Sequence, residues 1–423
     1  MKRIIVSAGL VALGAVGVQA ATHIPEFASV DGSKPWSISA TLRGFYDDNP
    51  GTQPDGPNKQ DSFGFQVVPA VSLSLPLGQT SVGLSYAYSL KYFENQPVGS
   101  DSNYDQTHMF NFGLDRAFSE RYKLSVTDSF VIGQEPDALR SGHTFSTFQR
   151  IPGNNICNFG TITLNAQMTR LFGVEVGYAN AFYDYDESGP GSYSATLDRI
   201  ENLAHIDGRW QVFRETVGIV GYQYSQVDYT GDEVIGGTVL NPIIMSDFRN
   251  SRSHYVYVGA EHDFRADLSG SVRAGARYID YYNDPESDSE VSPYVQASLR
   301  YTYTTESFVR VGFSYDRNPT SRFSAQGNSV TLDAQSAVVF ASLSHRIVPN
   351  LYGSVTGQLQ NSTFNGGSFN DETDNYYLVD LNLEYRFNPY LSAEVGYNYD
   401  QSVSEVGGSF TRNRVYLGVT ARY

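Results

Sequence analysis

The chain has 423 residues, with 29 Lys and Arg against 45 Asp and Glu, and its formal net charge is −16. This acidic balance without a basic stripe excludes nucleic acid as a partner. The mean hydropathy of −0.33 excludes a helical membrane protein but permits a β-barrel, because half of each barrel strand faces water. The lone Cys157 cannot form an intramolecular disulfide and lacks the companions that a zinc site needs.

The first twenty residues predict a secretory signal peptide. Lys2 and Arg3 precede an apolar run that ends in the small-x-small sequence Val18-Gln19-Ala20. The run has about 14 residues, whereas a membrane-spanning helix needs about 20. We therefore expect cleavage after Ala20, a short periplasmic segment at residues 21–35 and a barrel at residues 36–423. Such a segment is too short for the plug domain of a TonB-dependent transporter.

From Trp36 onward the chain reads as segments of period two. The segment WSISATLRGFY places Trp36, Ile38 and Leu42 on one face, and Ser37 and Arg43 on the other. The same alternation recurs at residues 63–74, 82–91, 271–278 and 377–386. Helical spacing is absent after the signal. The pattern predicts an all-β fold, a single transmembrane antiparallel up-and-down β-barrel of about 18 strands.

Long and short connections alternate along this part of the chain. Tight turns are predicted near residues 76–79, 118–121, 171–172, 213–215, 264–267, 303–307, 348–350 and 388–390. Long polar loops are predicted at about 47–61, 94–105, 134–154, 184–195, 228–250, 283–290, 317–330, 361–374 and 401–409. Outer-membrane barrels have short periplasmic turns and long extracellular loops. The order therefore predicts that both chain termini lie on the periplasmic side.

Aromatic residues concentrate at the predicted strand ends, which favours two girdles at the membrane interfaces. The periplasmic girdle would contain Tyr122, Phe172, Phe213, Phe264, Phe308, Phe387, Tyr390 and Tyr423, and the extracellular girdle Tyr46, Tyr92, Tyr229, Tyr281, Tyr315 and Tyr399. The alternation is less regular in residues 122–229, where Asp128, Asn180 and Asn202 fall on the lipid face. Because charge in mid-membrane is costly, we expect a β-bulge there or an error in the register assigned from the sequence.

The last segment, RVYLGVTARY, places Leu417, Val419, Ala421 and Tyr423 on one face and ends in an aromatic residue. It resembles the C-terminal signal of outer-membrane barrels that the barrel-assembly machinery reads. We therefore expect this machinery, periplasmic chaperones, outer-membrane lipid and lipopolysaccharide as partners.

Two further stretches repeat the strand–turn–strand pattern. They are SPYVQASLRYTYTTESFVRVGFSYDRNPTS, which Asn318-Pro319-Thr320 closes, and NLEYRFNPYLSAEVGYNYD. With them, the chain from Trp36 to Tyr423 resembles outer-membrane porins of the "beta-barrel porin 2" type. The resemblance implies a porin-like channel. Because some members of that family accompany exopolysaccharide export systems, it also implies a secretion conduit as an alternative.

No constellation of residues predicts catalysis, a cofactor or a bound metal. The histidines, His23, His108, His143, His205, His254, His262 and His345, are scattered singly. No phosphate-binding loop or metal-ligand spacing is present. An omptin-like protease, in which an Asp and a His meet above the barrel, is the enzyme alternative that the residues leave open.

The polar face of the strands is the candidate site. Its predicted pore-lining residues are Arg43, Lys91, Arg273, Arg277, Arg300, Arg310, Asp380, Glu384, Arg386 and Glu394. Their number favours a wet lumen, and barrels of about 16–18 strands leave an aqueous channel. The arginines at 273–310 and the acids at 380–394 are segregated along the chain, which suggests a transverse field. Ordinary local pairing is the alternative.

The loop at residues 228–250 contains VIGGTVLNPIIM, which is unusually apolar for a surface loop. It predicts a constriction folded into the barrel or a contact between copies. The leading function is passive diffusion of small hydrophilic solutes or ions. A conduit for exported polysaccharide and a plugged structural or adhesive barrel are the alternatives, and a homo-oligomer is left open.

Overall fold

Eighteen strands close into one antiparallel barrel, which confirms the predicted fold. The structure is a computed structural model that describes residues 34–134, 144–231, 233–238, 241–284, 289–326 and 329–423. The predicted signal peptide, most of residues 21–35, and His23 and His143 lie outside the described residues. The strands of the wall are β1 (Trp36–Asp47), β2 (Ser62–Leu77), β3 (Thr80–Phe93), β4 (Tyr104–Ala117), β5 (Tyr122–Gly133), β6 (Asn155–Gln167), β7 (Phe172–Asp184), β8 (Arg199–Phe213), β9 (Thr216–Tyr229), β12 (Ser251–Arg265), β13 (Leu268–Asp280), β14 (Glu290–Thr304), β15 (Ser307–Asn318), β18 (Asp333–Val348), β19 (Leu351–Asn365), β20 (Thr373–Asn388), β21 (Leu391–Ser404) and β22 (Phe410–Arg422).

Each wall strand pairs antiparallel with its neighbours along the chain, and β1 pairs with β22 to close the sheet. In that closing pair Ser39 lies opposite Arg422 and Asp47 lies opposite Arg414. Every backbone polar group in the wall therefore has a strand beside it, as a bilayer without water demands.

The connections follow the predicted order of tight turns and long loops. The turn between Leu77 and Thr80 is short, whereas 21 residues separate Gly133 from Asn155 on the other side. Smaller elements lie in the long loops. They include helix α1 (Tyr193–Leu197), the hairpin of β10 (Val234–Thr238) and β11 (Asn241–Met245), and the bridge between β16 (Ala325–Gln326) and β17 (Ser329–Val330). No helix in the described residues has the length and apolar character needed to cross a membrane.

The outer face of the barrel exposes the apolar half of each strand. Ile38, Leu42, Val256 and Val258 are each more than half exposed. An exposed apolar band around a closed barrel is stable only against lipid, because in water it would cause association. The protein is therefore built for the outer membrane.

Aromatic side chains border this band at its periplasmic end, as predicted, with Phe118, Tyr122, Trp210, Phe213, Phe264, Phe387, Tyr390 and Tyr423 exposed. Three assignments to the girdles are wrong. Phe308 pairs with Ser344 on the inner face and lies under the Arg300 guanidinium. Tyr229 and Tyr281 are buried at the other end, where Arg249 lies over the Tyr229 ring and the Tyr281 hydroxyl donates to Asp333. Position at a strand end does not decide which face a side chain occupies.

The expected bulge in residues 122–229 is absent. Strands β5 to β9 pair without a register shift until the turn that follows Gln211. Asp128, Asn180 and Asn202 do lie on the outer face, and other polar groups of that face bind them there. The wall tolerates the polar residues by pairing them and keeps its register.

Candidate functional site

The interior of the barrel carries the charged side chains that alternate with the exposed apolar band. The predicted residues Arg43, Lys91, Arg273, Arg277, Arg300, Arg310, Asp380, Glu384, Arg386 and Glu394 all occupy strand positions of inward parity. They do not form a single ring. Most are bound into local networks, whereas Lys91, Arg300 and Arg310 have no ion pair among the described residues.

One network joins the two strands on either side of β22. The Arg43 Nε donates to Glu394 Oε1 at 2.6 Å, and its Nη1 reaches Gln66 at 3.4 Å. Glu394 also accepts a hydrogen bond from Asn382 Nδ2 at 3.2 Å. Arg43 and Glu394 are both buried, so this pair holds its geometry rather than offering a free charge.

A second network occupies the wall of β8, β12 and β13. Arg273 lies 3.4 Å from an oxygen of Asp207, which also accepts a 2.5 Å hydrogen bond from the Tyr257 hydroxyl. Arg209 binds Glu261 through two hydrogen bonds of 3.1 and 2.5 Å. Asp207 and Glu261 were missed as site residues, although the period-two alternation places both on the inner face.

Arg277 and the acids near the periplasmic turns are likewise paired. The Arg277 Nη1 lies 3.0 Å from Asp316 Oδ1. Glu384 binds Arg386 at 3.1 Å and lies 3.5 Å from Arg422. These pairs favour local neutralisation over the transverse field that the sequence suggested.

Asp380 and Lys91 complete the predicted set. Asp380 accepts a hydrogen bond from Asn398 on the neighbouring strand. Lys91 lies opposite Asp105 in the strand register, but Asp105 binds Arg150 instead.

Arg300 and Arg310 differ from the other arginines. They lie directly opposite each other on β14 and β15, near the periplasmic end. Among the described residues, no carboxylate lies within 4.0 Å of either guanidinium. Their closest partners are the rings of Phe308 and Phe340, at 5.3 and 5.5 Å. Arg300 is exposed, so its charge is available to a solute.

Residues 144–151, here called the inward segment, cross the interior and were not predicted to do so. They belong to the connection between β5 and β6, yet Phe145 exchanges two 2.9 Å hydrogen bonds with the side chain of Gln360 on β19. Phe148 stacks on Tyr376 of β20 with ring centroids 4.6 Å apart. The segment therefore reaches the opposite wall.

An ion pair anchors the other end of the inward segment. Arg150 is buried, binds Asp105 of β4 and lies 5.8 Å from the Phe93 ring. The backbone N–H of Arg150 donates to Thr52 Oγ1 at 2.8 Å. The run of aromatic residues in an otherwise polar loop was the signal in the sequence that could have indicated this burial.

The apolar loop at residues 228–250 packs against other loops at the extracellular mouth. Ile235 and Ile244 are buried with Ala195 of α1 and Val330 of β17, and we call these four residues the mouth cluster. Ile235 and Ile244 of this loop are therefore buried within the chain, whereas Ile243 is exposed. The expected constriction and the expected contact between copies both stay predictions.

Arg249 joins the loops at the extracellular mouth through hydrogen bonds. Its guanidinium donates to the carbonyl oxygens of Thr196, Thr320 and Leu332 at 2.9, 2.6 and 3.2 Å, and its side chain is almost fully buried. Three loops thus share one cation, which also lies 4.6 Å from the Tyr229 ring. Hydrogen bonds from a charged donor are about twice as strong as neutral ones, so this contact is central to the closed arrangement of the loops.

Asp198 ends α1 within the same group of loops. Its carboxylate accepts hydrogen bonds from the Tyr185 backbone N–H at 2.7 Å and the Ser194 hydroxyl at 2.6 Å. Burial raises the pKa of Asp198 to about 6, against the lowering effect of these hydrogen bonds. Across the described part of the chain, no three His, Cys, Asp or Glu side chains come together to hold a metal ion.

Solved structures of outer-membrane proteins are distantly similar to this chain. The outer membrane protein OpdK from Pseudomonas aeruginosa is 13% identical, with 92% of this chain and 99% of that chain covered and a TM-score of 0.45. OccAB4 from Acinetobacter baumannii is 11% identical, with the same coverage and a TM-score of 0.42. Similarities this distant give no information about the transported solute. No curated protein matches the chain in sequence.

A comparison with protein families relates part of this chain to porins. Both stretches on which the resemblance rested, at residues 292–321 and 382–400, lie in the second part of the chain. The expected resemblance is confirmed there: residues 245–423 match the family described as "Putative beta-barrel porin 2".

Proposed function

We propose that this protein is a narrow channel for the passive diffusion of small hydrophilic solutes or ions across the outer membrane. The observation that carries the proposal is the opposite character of the two faces of one closed wall. Apolar side chains are exposed outward, and arginines, acids, serines and glutamines face inward. The match of residues 245–423 to a porin family supports it.

An aqueous interior explains why so many charges face inward. Buried charges without water need paired partners, and Arg300 and Arg310 have no acidic partner among the described residues. Barrels of about 16–18 strands enclose a water-filled lumen. We therefore assign solute contact to Arg300 and Arg310, and a supporting role to the paired Arg43, Arg273 and Arg277.

The passage is narrow because side chains and the inward segment fill much of the interior. Gln223 and Gln358 are each 1% exposed although both face inward. The inward segment spans from Arg150 on one wall to Phe145 on the other. A channel of this kind would favour small solutes and disfavour a polysaccharide chain, whose export needs a wide continuous path.

Single-channel recording from the purified barrel in planar bilayers tests the proposal. We expect discrete, small open steps, and heat-denatured protein serves as the control. Liposome swelling with sugars of increasing size should show a cut-off among small solutes. Silent bilayers from a barrel of verified fold would contradict the proposal and support the plugged, structural alternative.

Assembly into the membrane involves a second set of expected partners. The strand that carries Leu417, Val419 and Ala421 exposes this apolar row outward, and Tyr423 follows it at the periplasmic end. This geometry supports recognition by the barrel-assembly machinery. Replacing Tyr423 with Ser should lower the amount of folded protein in the membrane, measured by heat-modifiable mobility in gels. An unchanged amount would contradict the role.

A further inference from the structure

Arg300 of β14 and Arg310 of β15 lie directly opposite each other on the inner face of the wall, and we call these two side chains the arginine pair. Opposed side chains of an antiparallel sheet have Cβ atoms about 5 Å apart, and like charges at that spacing are destabilising. In the strand register of the described residues, this is the one place where two basic residues are opposed. A wall that keeps two positive charges together there needs a counter-charge.

The acids of the two adjacent periplasmic turns do not supply that counter-charge. Glu306, in the turn between β14 and β15, binds Arg346 at 3.0 Å. Asp267, in the turn before β13, binds Arg265 at 3.2 Å. Among the described residues no carboxylate lies within 4.0 Å of the arginine pair. The two charges are therefore left for an anion that comes from outside the chain.

Aromatic rings lie beside both guanidinium groups. The Cζ atom of Arg300 is 5.3 Å from the centre of the Phe308 ring, and that of Arg310 is 5.5 Å from the centre of the Phe340 ring. The Phe340 ring lies over Gly312, where a Cβ atom would collide with it. A ring face attracts the cation without using the N–H donors in the guanidinium plane. These donors therefore remain available to oxygen atoms in the lumen.

Serine hydroxyls flank the arginine pair on the neighbouring strands. Ser269 of β13 lies opposite Arg300. Ser342 of β18 lies opposite Arg310, is buried, and has its Oγ 3.3 Å from Thr356 Oγ1. The row across β13, β14, β15 and β18 therefore reads hydroxyl, guanidinium, guanidinium, hydroxyl. It offers hydrogen-bond donors and carries no negative charge of its own.

We propose that the arginine pair, with Ser269 and Ser342, is a binding site for a divalent phosphate group, either inorganic phosphate or the phosphate of a small solute. A dianion balances both positive charges, whereas a chloride ion or a carboxylate balances only one. The forked N–H donors of arginine match phosphate oxygens two at a time, which gives short and strong hydrogen bonds. The inference rests on the proposed channel, and it names the chemical group that the channel retains.

Calorimetric titration of the purified barrel with inorganic phosphate at about pH 8, where phosphate is mostly divalent, tests the site. Arg300→Gln with Arg310→Gln should weaken binding about tenfold, because the charged donors are lost. Removing two opposed like charges does not destabilise the wall, so this variant should fold, which heat-modifiable gel mobility checks. Lys123→Gln, which removes an inward cation of β5, is the matched control and should bind as the wild type does. No binding by the wild type, equal binding by the double variant, or an equal loss in the control would overturn the proposal.

Two further ligands define the group that is bound. Glycerol 3-phosphate and inorganic phosphate should each bind about tenfold more tightly than acetate, which carries a single charge. Tighter binding of glycerol 3-phosphate than of inorganic phosphate would assign the site to a phosphorylated solute, and the reverse order would assign it to the free ion. Acetate that binds as tightly as either phosphate would overturn the divalent site.

Conductance separates this inference from the channel proposal. In planar bilayers, inorganic phosphate should lower the current carried by potassium chloride more in the wild type than in the double variant. A barrel that conducts but does not bind phosphate contradicts the site alone. A barrel that binds phosphate but shows no open steps contradicts the channel alone.

Discussion

The extracellular mouth and the β14–β15 part of the wall use the same residue type in different ways. At the extracellular end Arg150, Arg249 and Arg322 are held by acids or carbonyl groups of several loops. On β14 and β15, by contrast, Arg300 and Arg310 face each other without an acid within 4.0 Å among the described residues. An arginine whose charge is matched by the protein supports structure, and one left unmatched is available to a passing ion.

The largest expected effect comes from removing the cation that joins the mouth loops. Arg249→Met leaves the carbonyls of Thr196, Thr320 and Leu332 without their donor, at a cost of about 3 kcal/mol in local opening free energy. Amide hydrogen exchange in α1 and residues 320–326 and 329–332 should accelerate about 100-fold. Arg252→Met, on the outer rim, is the matched control and should leave these amides unchanged. Equal protection in both variants would show that the mouth does not depend on Arg249.

The second largest expected effect comes from removing the charges of Arg300 and Arg310. Arg300→Gln with Arg310→Gln should move the permeability ratio towards cations about threefold, because the lumen loses two positive charges near its exit. The reversal potential in a salt gradient measures this. Arg265→Gln, at an exposed turn, should leave the ratio unchanged. If Arg265→Gln changes the permeability ratio as much as the double variant does, Arg300 and Arg310 do not determine ion selectivity.

A smaller effect should follow from loosening the inward segment. Arg150→Met breaks the ion pair with Asp105 while Phe145 and Phe148 keep their contacts on the far wall. We expect a conductance increase of about twofold, since the narrowest path widens at one side only. Lys59→Met, which removes a half-buried loop cation paired with Asp48, is the control. Identical conductance in wild type and Arg150→Met would place the constriction elsewhere.

The smallest effect is a dependence on pH at the mouth. The pKa of Asp198 is raised from 3.8 to about 6 by burial, so the folded loops bind its proton more tightly than the unfolded chain does. Their stability therefore falls as pH rises from about 4 to 6 and is lower at neutral pH than in acid. After correction for intrinsic rates, exchange of the Tyr185 amide should be about twofold slower at pH 5 than at pH 7.5. Asp198→Asn should remove this difference, and its persistence would assign the effect to another group.

The alternation of side chains predicts the strands of the wall and which side chains face the interior. It does not predict the contacts that these side chains make there. Val272, Ala274 and Tyr278 alternate with Arg273 and Arg277, which fixes one strand and its two sides without any tertiary information. Tight turns such as that between Leu77 and Thr80 follow from chain-local geometry.

Partners across the barrel could not be predicted in this way. Phe145 binds Gln360, which is 215 residues distant, and no local pattern encodes such a contact. The same limit explains why the sequence wrongly predicted a bulge in residues 122–229. Whether Asp128 is tolerated on the outer face depends on Asn158 of the next strand, and the sequence alone does not show their proximity.

The junction of β1 and β22 differs from every other pair in the wall because its partners come from opposite ends of the barrel sequence. Thr41 and Thr420, 379 residues apart, meet there at 2.8 Å. Bringing such distant segments together costs roughly 2 kcal/mol more in chain entropy than closing a neighbouring hairpin. This seam should therefore be the last part of the wall to form and the first to separate, and an intermediate with two unpaired edges should precede it during folding.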